Sequence, residues 1–510
     1  MKLSKLLKEV SYELIAGDAD IEVEDVAYDS RKVGPGTVFV CVPGFKTDAH
    51  QFIPQVIELG AEAIVVSKDI SSLGLGEVDD NGEIENEFVL PSDITVVKVA
   101  DSRLALGLMM AELFGHPERK MTTIGITGTK GKTTTSYMLK SIIESAGRKV
   151  GLIGTNGVMI GDKHYNTRHT TPESYELYHY FSMMVDAGCK YMIMEVSSQG
   201  IKMHRIAGIQ FDIGIFTNIS PDHIGPTEHA SFEEYLSYKA KLFTLCKDGI
   251  INMDDPHYEQ MRAGATATMH TIGKSEKADM AALDIKDIYT NDFMGSGFTY
   301  RSEKRRYEVK VSIPGIFNTE NALAAIAAAE LINIPQPSIV EALSKVQVKG
   351  RMEIAHVSEH CSVIIDYAHN GMSARSLLAT LKAYEPKRLV VVFGCGGNRD
   401  PHRRYEMGEA VGETSDFAVI TNDNPRFEDP AAIIKDIHIG LDKTAIYKNN
   451  KFIEIPDRRE AIRWTIEKSE PGDMIAIIGK GHEEYQEVCG ERTHLSDREE
   501  VDKVIAKLGW

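Results

Sequence analysis

One segment restricts the fold of this chain more than any other: residues 121 to 139 read MTTIGITGTKGKTTTSYML. An apolar run, a glycine-containing loop and a helix-like stretch follow one another, the order of a phosphate-binding loop in a parallel α/β sheet. Gly128 and Gly131 allow the backbone N–H groups to face a phosphate, while Lys132 offers a charge and Thr133 a hydroxyl for Mg²⁺. The segment predicts a nucleotide site; the alternative is a glycine turn of purely structural use.

Polar residues also follow two neighbouring apolar runs. Glu195 ends the run YMIMEVSS, and His223 lies in TNISPDHIGPTEH, just after the run FDIGIF. Carboxyl ends of parallel strands meet at one edge of a sheet, so Glu195 is placed to hold Mg²⁺, directly or through water. His223 is a candidate metal ligand or phosphate contact. Taken alone, each residue is equally consistent with a solvated strand end or a simple hydrogen-bonding group.

The last third of the chain repeats an apolar strand that ends in small and polar residues. The four runs are SVIIDYAH, RLVVVFGCGG, FAVITNDNPR and DMIAIIGKGHE. Such endings in one sheet predict a binding crevice, because ligands of open α/β sheets lie beyond the carboxyl ends of the strands. Arg399, Arg403 and Arg426 offer guanidinium groups, Asn424 an amide and Glu483 an anion. Cations and an anion together suit a zwitterion such as an amino acid; the alternative is surface ion pairing.

Composition excludes several classes of protein. The net charge of −18 argues against general affinity for nucleic acid. No apolar run approaches the ~20 residues of a membrane-spanning helix, and the N-terminus has no signal-peptide pattern, so we expect a cytoplasmic protein without stable membrane insertion. The six cysteines have no C-x-x-C spacing, which argues against a disulfide framework or a zinc site.

Length and pattern predict three α/β domains. Residues 1–100 hold short strands separated by turns, and residues 101–348 hold the phosphate loop and the apolar runs of a parallel sheet. Residues 349–510 hold the four strand endings of a Rossmann-like domain. We therefore expect an N-terminal α/β domain, a central domain like that of phosphate-loop ATPases and a C-terminal ligand-binding domain.

These segments, in this order, resemble the Mur ligase family, the ATP-dependent amide-bond-forming enzymes of bacterial cell-wall precursor synthesis. The family's phosphate loop is G-T-x-G-K-[ST], which residues 128–133 match, so isoleucine at 126, where the strict motif has glycine, is a family trait. The segments most similar to the MurE type are DSRKVGPGTVFVCVPG, HTTPES, EVSSQGI, GIFNTENALAA, GRME, DYAH, FGCGGNRD, DNPR and GKGHE. The resemblance covers nearly the whole chain.

The resemblance assigns expected roles to individual residues. Those expected to contact ATP are Gly128, Thr129, Lys130, Gly131, Lys132, Thr133, Thr134 and Asn318. The residues that fall where the family holds Mg²⁺ are Thr133, Glu195, His223 and Lys239. The expected catalytic residues are Lys132, Glu195, His223 and Lys239. The N-terminal domain would meet the uridine nucleotide at Ser30, flanked by Asp29 and Arg31. The sugar-peptide would be held by Thr170, Thr171, Ser197 and Arg205.

Lys239, in YLSYKAKLF, receives its role from the resemblance alone. In the family this lysine is carbamylated by CO₂ and becomes an anionic oxygen ligand. The role is physically sensible, because an ammonium would repel Mg²⁺ whereas a carbamate supplies the hard oxygen that Mg²⁺ prefers. Without the resemblance, Lys239 is an ordinary solvated helix lysine.

The resemblance also implies a reaction. ATP would phosphorylate the D-glutamyl carboxylate of UDP-N-acetylmuramoyl-L-alanyl-D-glutamate, and the amine of an amino acid would displace the phosphate. The DNPR pattern is associated in the family with meso-diaminopimelate. The residues expected to hold that amino acid are Arg399, Asp423, Asn424, Arg426, Gly479 and Glu483. L-Lysine lacks the distal carboxylate and would leave Arg426 facing a cation. We expect the chain to act as a monomer on these small molecules.

Three departures from the family pattern stand against this assignment. SPDHIGPTEH replaces the usual Asp-His-Leu-Asp-Tyr-His pattern, DYAHNGMS replaces a threonine-proline version, and Met203 stands where many members have glutamine. Methionine cannot make glutamine's hydrogen bonds, which puts that peptide contact in doubt. Three alternatives stay open: a folylpolyglutamate synthetase, a nucleotide-binding paralogue without ligase activity, and the same ligase acting on L-lysine or another amino acid.

Overall fold

The computed structural model describes residues 1–44, 47–70, 76–78, 84–225, 228–290 and 292–510, with only the backbone described for 76–78 and 84–87. The chain divides into two compact units. The first comprises Met1–Lys132 and Gly147–His270, and the second comprises Thr133–Ala146 and Thr271–Trp510. The predicted boundaries near residues 100 and 348 do not coincide with this division, so the three-domain partition stays a prediction.

The first unit begins with a small α/β sheet. Its strands are β1 (Tyr12–Ala16), β2 (Asp25–Ala27), β3 (Thr37–Val40), β4 (Ala61–Val66) and β7 (Thr95–Val99). They lie in the order β1-β7-β4-β3-β2, with β1 antiparallel to β7 and the other pairs parallel. A separate hairpin joins β5 (Gly76–Val78) to β6 (Ile84–Glu87). Mostly buried strands such as β3 and β4 read as continuous apolar runs because both faces of a parallel sheet are covered.

The same unit also carries a mainly parallel sheet. Its strands are β8 (Thr122–Thr127), β9 (Val150–Gly154), β10 (Gly157–Ile160), β11 (Lys163–Tyr165), β12 (Tyr191–Glu195), β13 (Phe211–Phe216) and β14 (Cys246–Asn252). Their order is β11-β10-β9-β12-β8-β13-β14, with β10 antiparallel to its two neighbours. Strand β8, which leads into the phosphate loop, therefore lies between β12 and β13, and the predicted parallel sheet is confirmed.

Short helices cover this unit, and two elements cross its boundary. The helices are α1 (Leu3–Leu6), α2 (Ile53–Glu58), α3 (Ser102–Leu113), α5 (Ser174–Asp186), α6 (Ser198–Lys202), α7 (Phe232–Ala240) and α8 (Tyr258–Arg262). Helix α4 (Lys132–Ser145) has its first residue in the first unit and the rest in the second, and strand β15 (Thr268–Gly273) also spans the division.

The second unit begins with an antiparallel meander. Its strands are β16 (Met280–Tyr289), β17 (Met294–Arg301) and β18 (Arg306–Val311). Helices α9 (Phe317–Leu331) and α10 (Gln336–Lys345) follow. Alanine fills much of α9, and eleven of its fifteen residues are buried, so small side chains allow close packing on nearly every side of this helix.

A six-stranded sheet completes the second unit. Its strands are β19 (Glu353–Val357), β20 (Cys361–Asp366), β21 (Arg388–Phe393), β22 (Phe417–Ile420), β23 (Phe452–Glu454) and β24 (Asp473–Ile478). The order is β19-β20-β24-β21-β22-β23, parallel except for β19. The helices are α11 (Gly371–Lys382), α12 (His402–Thr414), α13 (Pro430–Leu441), α14 (Ala445–Lys448), α15 (Arg458–Glu467) and α16 (Asp497–Leu508). The hairpin of β25 (Tyr485–Val488) and β26 (Glu491–His494) lies beyond β24. The predicted Rossmann-like sheet is confirmed.

No helix among the described residues combines the length and the apolar character needed to cross a membrane.

Candidate active site

The phosphate loop is anchored to the end of β13. Gly128 has φ 151°, and a Cβ there would lie 2.0 Å from Thr217 Oγ1, so only glycine fits. Thr217 Oγ1 donates a 2.7 Å hydrogen bond to Lys130 O, and Thr129 N donates to Asn218 O at 2.8 Å. These contacts hold the loop in one conformation, as a backbone phosphate cradle requires.

Two lysines converge on one carbonyl oxygen of this loop. Lys132 Nζ donates to Gly128 O at 2.9 Å and to Thr129 O at 3.2 Å, and Lys239 Nζ donates to the same Gly128 O at 2.9 Å. Lys239 is buried, with 2% of its surface exposed. Burial lowers the pKa of Lys239 well below its usual value, and the charge of Lys132 lowers it further. A neutral amine is the form that reacts with CO₂, so this environment suits the expected carbamate.

Tyr235 connects the loop to two of the expected metal ligands, and the sequence analysis did not single it out. Its hydroxyl lies 3.1 Å from Thr129 Oγ1, and its ring centroid is 4.6 Å from Lys239 Nζ and 6.0 Å from the His223 ring. Residues four apart share a helix face, so the spacing from Tyr235 to Lys239 in the sequence was the available signal.

Glu195 is fixed at the end of β12, in register with Ile126 of β8. Its Oε1 accepts from Thr155 N and its Oε2 from Thr155 Oγ1, both at 3.0 Å. A Cβ at Gly154 would lie 2.3 Å from Oε1, so glycine leaves the room that the carboxylate occupies. A buried carboxylate held by two donors, beside the loop strand, is a hard oxygen ligand of the kind Mg²⁺ takes. The donor chemistry of this region therefore fits Mg²⁺.

His223 lies on an exposed loop. Its backbone is left-handed, with φ 54°, and its side chain is 53% exposed. Nδ1 lies 2.9 Å from Glu228 Oε1, which leaves Nε2 turned away from that contact. The structure brings His223 and Lys239 to the same tyrosine ring. The metal-ligand role of His223 stays a prediction.

The expected adenine contact lies in the second unit. Asn318 is 2% exposed, and its Nδ2 donates to Pro314 O at 2.7 Å while its Oδ1 accepts from Asn321 Nδ2 at 2.9 Å. Asn321 Oδ1 in turn lies 3.4 Å from Thr135 Oγ1. The side chain of Asn318 is thus connected, through Asn321, to Thr135 of helix α4, which follows Thr133 by two residues. The nucleotide roles of Thr133, Thr134 and Asn318 stay predictions.

The residues that are expected to hold the sugar-peptide lie close together at the end of β12. Thr171 Oγ1 donates to Glu195 O at 2.9 Å and accepts from Ser197 N at 3.0 Å, while Arg205 donates to Thr171 O at 3.1 Å. Thr170 Oγ1 lies 3.1 Å from Thr155 Oγ1, beside the Glu195 carboxylate. The structure therefore brings together four of the five predicted residues.

The fifth, Ser30, is not among the residues that line a cavity of about 690 Å³ in the first unit, although its neighbours Asp29 and Arg31 line it. The Arg31 side chain, hydrogen-bonded to Asp29, lowers the pKa of that carboxyl to about 2. The cavity is lined by Tyr28, Asp29, Arg31, Lys32, Val42, Arg103, Leu106, Asn166, Thr167, Arg168, His169, Pro172, Glu173, Glu176 and Tyr180. Its basic and aromatic side chains suit a nucleotide.

All six residues expected to bind the amino acid line one cavity of about 130 Å³ in the second unit. The lining residues are Tyr367, His369, Cys395, Gly396, Arg399, Asp400, Arg403, Arg404, Asp423, Asn424, Arg426, Gly479 and Glu483. They follow β20, β21, β22 and β24, the four strands whose endings predicted a crevice. The structure thus brings these strand ends to one cavity, and the binding of an amino acid there stays a prediction.

A network of buried polar groups forms the floor of this amino-acid cavity. Asn424 Nδ2 donates to Glu483 Oε2 at 2.8 Å, and Asn424 Oδ1 accepts from Lys480 Nζ at 3.1 Å and from Glu487 N at 3.0 Å. Lys480 Nζ also donates to Glu483 Oε2 at 3.2 Å. Lys480 stands in the GKGHE segment, but nothing in that sequence indicates that it turns inward.

Arg426 is held by its backbone as well as by its side chain. Nη1 donates to Gly397 O at 2.6 Å, Arg426 N donates to Glu487 O at 3.0 Å, and Cys489 N donates to Arg426 O at 2.6 Å. The residue has φ 53°, a left-handed conformation unusual for a side chain of this size. The β25–β26 hairpin thus fixes where the guanidinium enters the cavity.

Three models of the Mur ligase family match successive parts of the chain. The match to the family's catalytic domain covers residues 22–113, that to the middle domain 126–329 and that to the glutamate ligase domain 350–481. A protein of Caldanaerobacter subterraneus named UDP-N-acetylmuramoyl-L-alanyl-D-glutamate–2,6-diaminopimelate ligase is 41% identical over 508 residues, covering 99% of both chains. A protein of the same name from Clostridium perfringens is 41% identical over 512 residues, covering 99% of both chains. The chain belongs to the Mur ligase family.

Solved structures agree. A structure titled as a UDP-N-acetylmuramoyl-L-alanyl-D-glutamate–2,6-diaminopimelate ligase matches with TM-score 0.71 and 28% identity, covering 100% of this chain and 99% of that one. MurF from Acinetobacter baumannii matches with TM-score 0.59 and 18% identity, covering 94% and 96%. A folylpolyglutamate synthase of Mycobacterium tuberculosis matches with TM-score 0.57 and 19% identity over 74% of this chain and 92% of its own. The last two likenesses concern the fold alone.

Proposed function

We propose that this protein is an ATP-dependent ligase that joins meso-diaminopimelate to the D-glutamyl carboxylate of UDP-N-acetylmuramoyl-L-alanyl-D-glutamate. The observation that carries the proposal is the amino-acid cavity, which Arg399, Arg426 and Glu483 line together. That arrangement suits a ligand end that bears both a carboxylate and an ammonium. The relatives named for this reaction, which match over the whole chain, supply the chemistry of the two substrates.

The reaction has two steps in this proposal. The γ-phosphoryl group of ATP passes to the glutamyl carboxylate, which releases ADP and leaves an acyl phosphate. The amine of diaminopimelate attacks the acyl carbon, and the tetrahedral intermediate expels phosphate as the amine loses a proton. Lys132 stabilises charge on the phosphoryl group as it transfers, and the anchored backbone of the phosphate loop orients it.

Mg²⁺, when bound, neutralises the phosphate oxygens and polarises the transferring group. The residues proposed to hold it are Thr133, Glu195, His223 and Lys239 as a carbamate. Carbamate formation joins the neutral Lys239 amine to the carbon of CO₂ and releases one proton. The lowered pKa of Lys239 supports this step, because a protonated amine has no lone pair to react. Glu195, held by Thr155, would keep its oxygens aimed at one place.

The proposal includes action as a monomer in the cytoplasm on small-molecule substrates. Gel filtration with light scattering tests the first of these, and a dimer at working concentration would contradict it. Fractionation of the source cells tests the second, and recovery with the membranes would contradict it.

The deciding experiment measures phosphate release by the purified protein with ATP, Mg²⁺ and UDP-N-acetylmuramoyl-L-alanyl-D-glutamate. Reactions with meso-diaminopimelate, with L-lysine and without an amino acid are compared, and mass spectrometry identifies the product. We expect strong dependence on meso-diaminopimelate and a product heavier by one diaminopimelyl residue. Dependence on L-lysine would overturn the choice of amino acid. No dependence on either would favour a paralogue without this activity. In a separate reaction with ATP, a folate and L-glutamate, addition of glutamate to the folate would favour the folylpolyglutamate alternative.

A further inference from the structure

Lys480 is a buried lysine that hydrogen-bonds two residues of the amino-acid cavity. It has no exposed surface, and its Nζ lies 3.1 Å from Asn424 Oδ1, 3.2 Å from Glu483 Oε2 and 3.7 Å from Asp423 Oδ1. The ring of Tyr485 lies 5.3 Å from the same atom. A buried ammonium is costly unless carboxylates and hydrogen-bond acceptors surround it, and here they do. Both residues that it hydrogen-bonds, Asn424 and Glu483, line the cavity.

These bonds fix which way the Asn424 amide faces. Its oxygen accepts from Lys480 Nζ and from Glu487 N, and its nitrogen donates to Glu483 Oε2. The reversed amide would set its NH₂ group against two donors, Lys480 Nζ and Glu487 N, and both hydrogen bonds would be lost. Asn424 therefore presents N–H to the cavity, and a ligand atom that meets it must be an acceptor such as a carboxylate oxygen.

The same bonds divide the two oxygens of Glu483. Oε2 accepts from both Asn424 Nδ2 and Lys480 Nζ, so Oε1 is the oxygen left for a ligand ammonium. Lys480 also offsets negative charge on the floor, where burial already raises the pKa of Asp423 and Lys480 is the main opposing influence. An ammonium in the cavity is thus attracted by one carboxylate oxygen whose charge a buried lysine has partly balanced.

We propose that Lys480 is a positioning residue that sets amino-acid specificity: it locks Asn424 and Glu483 into a donor–acceptor pair and limits the net negative charge of the cavity floor. The cavity then favours a ligand whose far end carries an ammonium and a carboxylate over one that carries an ammonium alone. This inference rests on the proposed function, because it concerns the choice between meso-diaminopimelate and L-lysine.

The test is Lys480→Met, which keeps the length of the side chain and removes its charge. We expect kcat/KM for meso-diaminopimelate to fall about tenfold or more, because a hydrogen-bonded charge has been removed from the cavity floor. The ratio of kcat/KM for meso-diaminopimelate to that for L-lysine should fall at least about tenfold, with the KM for ATP unchanged within about twofold. Lys435→Met, on the exposed face of α13, is the matched control and should change none of these.

A change in specificity separates this role from a merely structural one, which would lower turnover of both amino acids equally. Folding of Lys480→Met is checked by the rise in melting temperature on adding ATP, which should equal that of the wild type. An unchanged ratio of kcat/KM values in such a folded variant would overturn the proposal. If Lys480→Met does not fold, Glu483→Gln with and without Lys480→Met carries the test, because the Gln variant removes the unpaired buried charge. Adding Lys480→Met should still lower the ratio, because Lys480 also orients Asn424 and lies near Asp423, and a ratio unchanged within about twofold would overturn the proposal. Absence of diaminopimelate-dependent turnover in the wild type would instead overturn the proposed function.

Discussion

The phosphate loop and the amino-acid cavity both lie at the carboxyl ends of parallel strands, but they are built from different parts of the chain. The loop is one continuous segment, residues 128–132, whose backbone is held by Thr217 and Asn218. The cavity gathers side chains from four separate strand ends, and two of them, Asn424 and Glu483, hydrogen-bond a buried lysine. A backbone site depends on conformation and tolerates varied side chains, whereas a side-chain site depends on which groups balance which charges.

Among the variants, removal of the Lys239 side chain should have the largest effect, and it tests the phosphate-loop site. In Lys239→Ala we expect turnover to fall about 100-fold or more, because the proposed carbamate ligand is lost, and short carboxylates such as acetate should restore part of it. Steady-state phosphate release measures both. Lys241→Ala, an exposed lysine two residues away over Tyr238, is the control. Full activity without added carboxylate would remove Lys239 from the site.

Removal of the Arg426 side chain tests the amino-acid cavity and should weaken amino-acid binding. In Arg426→Ala we expect the KM for meso-diaminopimelate to rise about 30-fold, equivalent to about 2 kcal/mol, because a charged contact to the ligand is lost. The KM for ATP should stay within about twofold. Initial rates with each substrate varied in turn give both values.

Arg463→Ala is the matched control, because Arg463 is exposed and paired with Glu460 on α15. Equal rises in both KM values would contradict the assignment of Arg426 to the amino acid.

A smaller change sharpens the comparison, because it displaces the carboxylate of Glu195, a proposed Mg²⁺ ligand, without removing it. In Gly154→Ala, the new Cβ would meet Glu195 Oε1, so the carboxylate must shift. We expect the Mg²⁺ concentration for half-maximal activity to rise about tenfold, with the KM for diaminopimelate unchanged. Gly34→Ala, where a Cβ meets nothing within 4 Å, is the control. An unaltered Mg²⁺ titration in a folded variant would argue against Glu195 as a ligand.

Thiol reactivity provides the mildest test, because it leaves the enzyme intact. Cys489 is exposed, whereas the other five cysteines are buried. Burial raises the pKa of Cys395, which lines the amino-acid cavity, to about 12, and that of Cys246 to about 12. Only the thiolate reacts, so these buried thiols should stay slow at about pH 7 and at about pH 9 alike.

Titration with Ellman's reagent should accordingly give one fast equivalent, which Cys489→Ser removes. A second fast thiol that diaminopimelate protects would mean that Cys395 is reachable and that the cavity opens in solution.

The comparison also explains how much the sequence could predict. The phosphate loop, the strand that carries Glu195 and the crevice with Arg399, Asn424, Arg426 and Glu483 follow from contiguous motifs and from the rule that ligands meet strand ends, whereas Asp423 and Gly479 came from the family resemblance. Tyr235 and Lys480 were missed for different reasons. Tyr235 had a helical spacing to Lys239 that could have been used. Lys480 could not be recognised, because only tertiary packing turns a lysine of the GKGHE segment inward toward Asn424 and Glu483.

Anyone who redesigns the cavity for another amino acid inherits a backbone constraint at residue 426. Its left-handed conformation is clamped by two main-chain hydrogen bonds to the hairpin segment at Glu487 and Cys489. Glycine and asparagine adopt that conformation at least cost, but neither carries a positive charge. If only the side chain at residue 426 is varied, each variant therefore either keeps a positive charge on a strained backbone or relieves the strain and loses the charge. Substrate choice in this scaffold changes most readily when the hairpin and residue 426 are exchanged together, as one cassette.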